Sequence, residues 1–253
     1  MSPLPRSRAN PSKFRPALAV FAREPVPGKA KTRLIPLFGP QGAADFHAAL
    51  VSDTLQKVNA LGERVTPYFF LAGRKFPVSS SLSEYTLKRQ QGASLGNRLE
   101  GAFRFLLRRH VGALVIGTDS PQLSSRDLLL ALARLRGADA ILGPCPDGGF
   151  YLVGLRRLTE GLFGNVRWGS EFAFEDVRSN LQAGGYACSI LGALEDVDRT
   201  EDVERLKNIL AGETRRRKLA PSTWRFLREF YALDRRRERV AARQPRGDSP
   251  SKP

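Results

Sequence analysis

Residues 112–123 read GALVIGTDSPQL. The stretch GALVIGT (112–118) is uncharged, aliphatic and only of strand length, so it reads as a strand buried on both faces. Asp119 follows it directly. Burying a lone carboxylate at the end of such a strand is costly. A divalent cation would offset that cost, because aspartate is a hard-oxygen ligand. A turn or helix N-cap aspartate is the other reading.

Working outward, ALAVFA (17–22) is a second apolar run, ended by a Pro/Gly loop. TPYFFLAG (66–73), YTLKRQ (85–90), DAILGP (139–144), FYLVGL (150–155) and YACSILG (186–192) read as further strands. The pair at 139–144 and 150–155 flanks a tight polar turn. Segments 39–62, 94–110, 124–135, 170–185 and 200–212 carry apolar residues at helical spacing. Ser94 and Ser170 stand where those helices start, and Arg108, Arg109 and His110 fall in a last turn. Strands alternating with helices predict an α/β fold, a mainly parallel sheet covered on both faces.

Ligands of such sheets sit beyond the carboxyl ends of the strands. The first strand runs into FAREPVPGKAKTRL (21–34), where Gly28 allows close approach and Lys29, Lys31 and Arg33 can neutralise a di- or triphosphate. The loop is not a Walker A motif, because position 23 is arginine. A solvated basic loop is the plainer reading. Asp147, Gly148 and Gly149 follow DAILGP, either as a hairpin turn or as room for a substrate against the backbone. Glu195-Asp196-Val197-Asp198 follows the last strand; in an extended segment Asp196 and Asp198 point the same way and can grip one ion. Alternatively Asp198 or Thr200 caps the next helix. Trp168 can stack on a sugar or base, or simply pack.

The 253 residues carry a formal net charge of +16. Residues 1–16 hold four Arg/Lys and no acid; residues 214–253 hold thirteen Arg/Lys and four Asp/Glu, leaving +3 for 17–213. The basicity therefore belongs to the ends, where weak polyanion contact through the C-terminus is expected. A domain over 17–213 is expected between a disordered basic 1–16 and an amphipathic helix over 214–240, followed by a disordered tail, 241–253. Within 214–240, Trp224, Leu227, Phe230 and Tyr231 recur at helical spacing. No apolar run approaches the roughly 20 residues of a membrane helix, and no signal segment is evident. Two cysteines make no disulfide framework, so a reduced, cytoplasmic setting is expected. Two histidines, His47 and His110, both in helical patterns, argue against a zinc site or a histidine triad.

Taken in order, FAREPVPGKAKTRL, QGASLGNRLEGAF, IGTDSPQL, LGPCPDGGFYLVGL, NVRWGS and DVDRTEDV resemble a bacterial family. It is the DUF2064 family of GT-A-type glycosyltransferase-like proteins, related to the phospholactate guanylyltransferase of coenzyme F420 biosynthesis. The resemblance spans about residues 17–212. It implies a nucleotide-diphospho-sugar transferase fold, with a Rossmann-like mixed sheet that binds a nucleotide or nucleotide-sugar with Mg²⁺ or Mn²⁺. It further implies phosphate contacts from Lys29, Lys31, Thr32 and Arg33, beside Gly28, and an acceptor side at Asp147, Gly148 and Gly149, where Trp168 is the stacking candidate. Asp119, Asp196 and Asp198 are the implied metal ligands. Asp119, Lys31 and Arg33 would carry catalysis, by glycosyl transfer from a nucleotide-sugar or by nucleotidyl transfer to a small acidic acceptor. One departure stands out: Arg199 occupies the place where the family usually has threonine, ahead of its proline.

Overall fold

Alternation in β1 (Ala17–Arg23) sends its side chains into two apolar layers, one on each face of a central sheet. The structure, a computed structural model, describes residues 15–75, 80–212 and 214–241. Residues 1–14 and 242–253, within the two segments read as disordered, lie outside the described residues.

The sheet has seven strands in the order β3-β2-β1-β4-β6-β5-β7. These are β2 (Thr66–Ala72), β3 (Thr86–Arg89), β4 (Ala113–Ile116), β5 (Ala140–Pro144), β6 (Phe150–Leu155) and β7 (Cys188–Ile190) around β1. Only β6 runs against its neighbours β4 and β5; every other pairing is parallel. The expected mixed, mostly parallel sheet is what the chain forms. The order reverses beside β1: the chain moves out to β2 and β3, then returns to place β4 on β1's other side. In open α/β sheets such a reversal leaves a crevice at the strands' carboxyl ends.

On one face, Leu18 and Val20 pack with Val51 and Leu55 of α1 (Ile35–Asn59) and Leu128 and Leu132 of α3 (Ser125–Leu135). On the other, Ala17 and Ala19 pack with Phe103 and Leu106 of α2 (Leu95–Leu107) and Val177 and Leu181 of α4 (Ala173–Ala183). Ser94 and Ser124 each close a capping box at the starts of α2 and α3.

Several element ends differ from the sequence pattern. α1 begins four residues before Gly39, which sits inside it at φ 71 ahead of Pro40; the helix is kinked there. It ends at Asn59, short of Gly62. α4 starts at Ala173 rather than Ser170, because the Ser170 hydroxyl donates back to the Arg167 carbonyl at 2.7 Å. The single C-terminal helix expected over 214–240 is two pieces, α6 (Thr214–Arg217) and α7 (Pro221–Ala241). Pro221 suits the first position of a new helix, where a missing N–H costs nothing.

α7 builds a third apolar cluster. Leu227 and Ala220 are buried against Phe38, Phe46 and Leu50 of α1 and against Leu206 and Leu210 of α5 (Thr200–Gly212). Phe38 meets the rings of Phe226 and Phe230 edge-on at 5.2 and 4.8 Å. Arg225 and Arg228 on the same helix are exposed. No helix of the described residues is long and apolar enough to cross a membrane.

Candidate active site

A cavity of about 860 Å³ opens where β1 and β4 end, within the range that takes a nucleotide-sized ligand. β1 delivers Arg23, and the loop after it delivers Lys31, Thr32 and Arg33. β4 is followed by Gly117, Thr118 and Asp119, and the segment after β7 brings Asp196 and Asp198 to the same edge. The turn before β6 adds Asp147 and Gly149, and the Trp168–Glu171 segment forms a further wall. Of the residues expected here, Gly28, Lys29 and Gly148 do not line the cavity.

At its centre is Lys31, in left-handed backbone at φ 45. Its Nζ donates to the Val197 carbonyl at 2.7 Å and to Asp198 Oδ1 at 2.7 Å, and pairs with Asp119 Oδ1 at 2.8 Å. Burial alone would push its pKa down; the charges of Asp119 and Asp198 outweigh that and the pKa is raised. Burial likewise pushes the Asp119 carboxyl upward, but Lys31 and then His47 reverse the balance and hold it below the usual carboxylate range. Two of the ammonium's contacts are hydrogen bonds, to Val197 and Asp198, and the third is the ion pair with Asp119. Lys31 thus ties the loop after β1 to Asp119 and to the Asp196–Asp198 segment. Arg33 is freer: its side chain is 64 % exposed and reaches Asp198 Oδ2 at 3.4 Å.

The Asp196–Asp198 segment is stitched in place by its backbone, with the Val197 N–H donating to the Asp119 carbonyl at 2.9 Å. The cap of α5 comes from neither Asp198 nor Thr200. Asp202 Oδ2 accepts from the N–H groups of Asp198 and Arg199 at 3.0 and 2.7 Å. The two carboxylates of the segment also part company. Asp198 meets Lys31 and Arg33, whereas Asp196 joins Asp147 and Cys145, whose potential ligand atoms all lie within 4.8 Å of one another. Among the described residues that is the set spaced to hold a metal ion; the expected trio Asp119, Asp196 and Asp198 is not so spaced. Burial, followed by Asp147 and Asp198, pushes the Asp196 carboxyl up to about 6. Burial, followed by Asp196 and Asp147, pushes the Cys145 thiol up to about 12, so it stays protonated.

The Asp147-Gly148-Gly149 turn is built as an Asx turn, with Asp147 Oδ1 accepting from the Gly149 N–H at 2.9 Å. It is pinned to the opposite wall by a 2.8 Å hydrogen bond from the Phe174 N–H to the Gly148 carbonyl. Trp168 is half-buried, edge-on to Phe150 at 6.0 Å, and leaves part of its ring to the cavity.

Two lining residues were not singled out for the site by the sequence pattern. His47 reads as an ordinary position on the apolar face of α1, yet its Nε2 hydrogen-bonds the Arg23 carbonyl at 3.0 Å and its buried Nδ1 has no partner. Arg205 lies one turn into α5, where it pairs with Asp202 at 2.5 Å and Glu195 at 3.5 Å. The i,i+3 spacing from Asp202 was its only trace in the sequence.

No curated protein matches this chain. Among solved structures, it is similar to one from Desulfovibrio desulfuricans G20 provisionally described as a nucleotide-diphospho-sugar transferase. The identity is 27%, the coverage 87% of this chain and 96% of that one, and the TM-score 0.75. A cytidylyltransferase from Leptospira borgpetersenii serovar Hardjo-bovis shares the fold at 13% identity, covering 91% of this chain and 98% of that one, with a TM-score of 0.51. The nucleotide-diphospho-sugar transferase fold is thus the architecture of this chain. Residues 54–170, from α1 through the Asp119 and Asp147 loops to Ser170, match the family described as "Uncharacterized protein conserved in bacteria (DUF2064)", the family the sequence motifs resemble.

Proposed function

We propose that this chain is a transferase acting on a nucleotide-activated donor, with a nucleotide-sugar as the first choice. The observation that carries the reading is the gathering of Arg23, Arg33 and Arg199 with Asp119, Asp147, Asp196 and Asp198 in one cavity at the strand-order reversal between β1 and β4. The likeness to the Desulfovibrio structure supports the nucleotide-sugar version.

In this reading the donor's phosphates lie along Arg23, Arg33 and Arg199, whose guanidinium groups suit bidentate phosphate contact. Lys31 acts one step back, fixing Asp119 and Asp198 in place. The acceptor or sugar lies between the Asp147–Gly149 turn and the Trp168 ring, an apolar face with polar groups around it. Asp119, held ionised, accepts a hydrogen bond from an acceptor hydroxyl and orients it. Asp147 and Asp196 would hold Mg²⁺ or Mn²⁺: they offer hard carboxylate oxygens, and the protonated Cys145 thiol adds no charge. Such an ion would supply charge neutralisation at the departing phosphate.

Nucleotidyl transfer from a nucleoside triphosphate is the second reading. It is favoured by Arg23, Arg33 and Arg199 lining one cavity, three guanidinium groups that could share the phosphates of a triphosphate. Incubation with nucleotide-sugars and with nucleoside triphosphates, each with candidate acceptors and Mn²⁺, separates the two. Release of nucleoside diphosphate supports the first, and release of pyrophosphate the second. If no nucleotide raises the melting temperature, with or without Mn²⁺, the transferase reading fails.

A further inference from the structure

The three oxygens around Lys31 make a cation cradle that is already filled. Val197 O, Asp198 Oδ1 and Asp119 Oδ1 stand 2.7, 2.7 and 2.8 Å from Nζ, distances that fit an ammonium. A magnesium ion asks for oxygens at about 2.0–2.1 Å, so this cradle is too wide for it without closing. The Lys31 side chain is only 5 % exposed, and a second cation arriving between the same carboxylates would have to expel it. The cradle is also braced from three directions: by the left-handed turn at Lys31, by β4 behind Asp119, and by the Val197-to-Asp119 backbone bond. Asp119 is an implied metal ligand of the resemblance, and here that position and the structure disagree.

We propose that Lys31 is the resident cation of the Asp119–Asp198 pair, so that a divalent ion serving this cavity does not enter between those two carboxylates. The proposal rests on the reading of the cavity as a nucleotide site served by a divalent ion, and it sharpens which residues that ion can use. Asp119 and Asp198 act as an ammonium-bound platform. Asp196 and Asp147, which form no ion pair among the described residues, are left as the available ligands.

The test is Mn²⁺ alone, titrated into the full-length chain and followed by the electron paramagnetic resonance signal of free Mn²⁺. Asp119→Asn keeps an oxygen that can accept from Lys31, so the fold is retained; its Mn²⁺ affinity is expected within about threefold of wild type. Asp196→Asn is expected to lose at least about tenfold. Lys31→Met empties the cradle and leaves three oxygens facing one point, and it is expected to bind one more Mn²⁺ per chain than wild type. A tenfold loss in Asp119→Asn overturns the proposal, as does unchanged stoichiometry in a folded Lys31→Met. Should Lys31→Met not fold, the two aspartate variants decide alone. Nucleotide-induced stabilisation, measured on the same samples, keeps the two ideas apart. A chain that responds to no nucleotide but follows the Mn²⁺ pattern retains the Lys31 assignment and loses the transferase reading.

Discussion

Gly148 shows how closely single residues are fitted around the cavity. Its φ is +85, and a Cβ there would stand 1.9 Å from the Glu171 carbonyl oxygen, a backbone atom that cannot swing aside. Gly148→Ala should therefore cost at least about 2 kcal/mol and loosen the Trp168 wall, since strain in this region and a backbone clash add. Chemical denaturation gives the first and tryptophan fluorescence reports the second; a variant with unchanged stability would contradict the packing described.

A second residue-scale consequence concerns Lys57, one turn beyond Asp53 on α1. Its Nζ donates to the Pro121 carbonyl at 2.8 Å, within the loop that carries Asp119. Burial, only partly opposed by Asp53 and Asp127, lowers its pKa from 10.5 to about 8. Between about pH 8 and 10.5 the folded chain has released this proton while the unfolded chain still holds it, so stability rises with pH in that window. The slope approaches about 1.4 kcal/mol per pH unit at most. Wild type should gain on Lys57→Met as pH goes from 7.5 to 10 in parallel urea melts. A constant difference would show that the amine is not desolvated.

Among elements, α7 depends on a residue far away in sequence. The buried Asp53 carboxylate accepts from the N–H groups of Ser222 and Thr223 at 2.8 and 2.9 Å, capping α7 from the side of α1. A carboxylate at a helix N-terminus is favoured by the unpaired N–H groups and the dipole together. Asp53→Ala removes both bonds and is expected to cost about 2 kcal/mol, more than an exposed cap, read as a lower melting temperature. Other element signals were local and therefore legible: Ser94 and Ser124 marked true helix starts because each bonds within three residues of itself. The break between Arg217 and Pro221 was written in the proline, although the apolar spacing from Trp224 to Tyr231, all of it after Pro221, reads as one helix over 214–240.

At the scale of the whole molecule, the C-terminal region joins the third apolar cluster. Removing residues 214–253 would expose Phe38, Phe46 and Leu50, which Leu227, Phe226 and Phe230 now cover. Deleting buried side chains of this size costs several kcal/mol, so the truncated chain should melt about 10 °C or more lower and bind a hydrophobic dye. Calorimetry and dye fluorescence check this; an unaltered melt would mean that α7 contributes no stability. A loss of nucleotide binding on truncation would then report unfolding, not contact by the basic tail.

The sequence by itself determined the strand and helix alternation, the mostly parallel sheet and the edge at which charged loops gather. Those follow from periodicity and from what directly succeeds each apolar run, both of which are properties of neighbouring residues. Only the tertiary structure decided how the charges are spent. Lys31 reaches Val197 and Asp198 across 166 and 167 residues of chain, and Asp53 reaches Thr223 across 170. A lysine committed to two aspartates and a lysine free to hold phosphate look identical in sequence, because the choice depends on where the folded path brings distant carboxylates within about 3 Å.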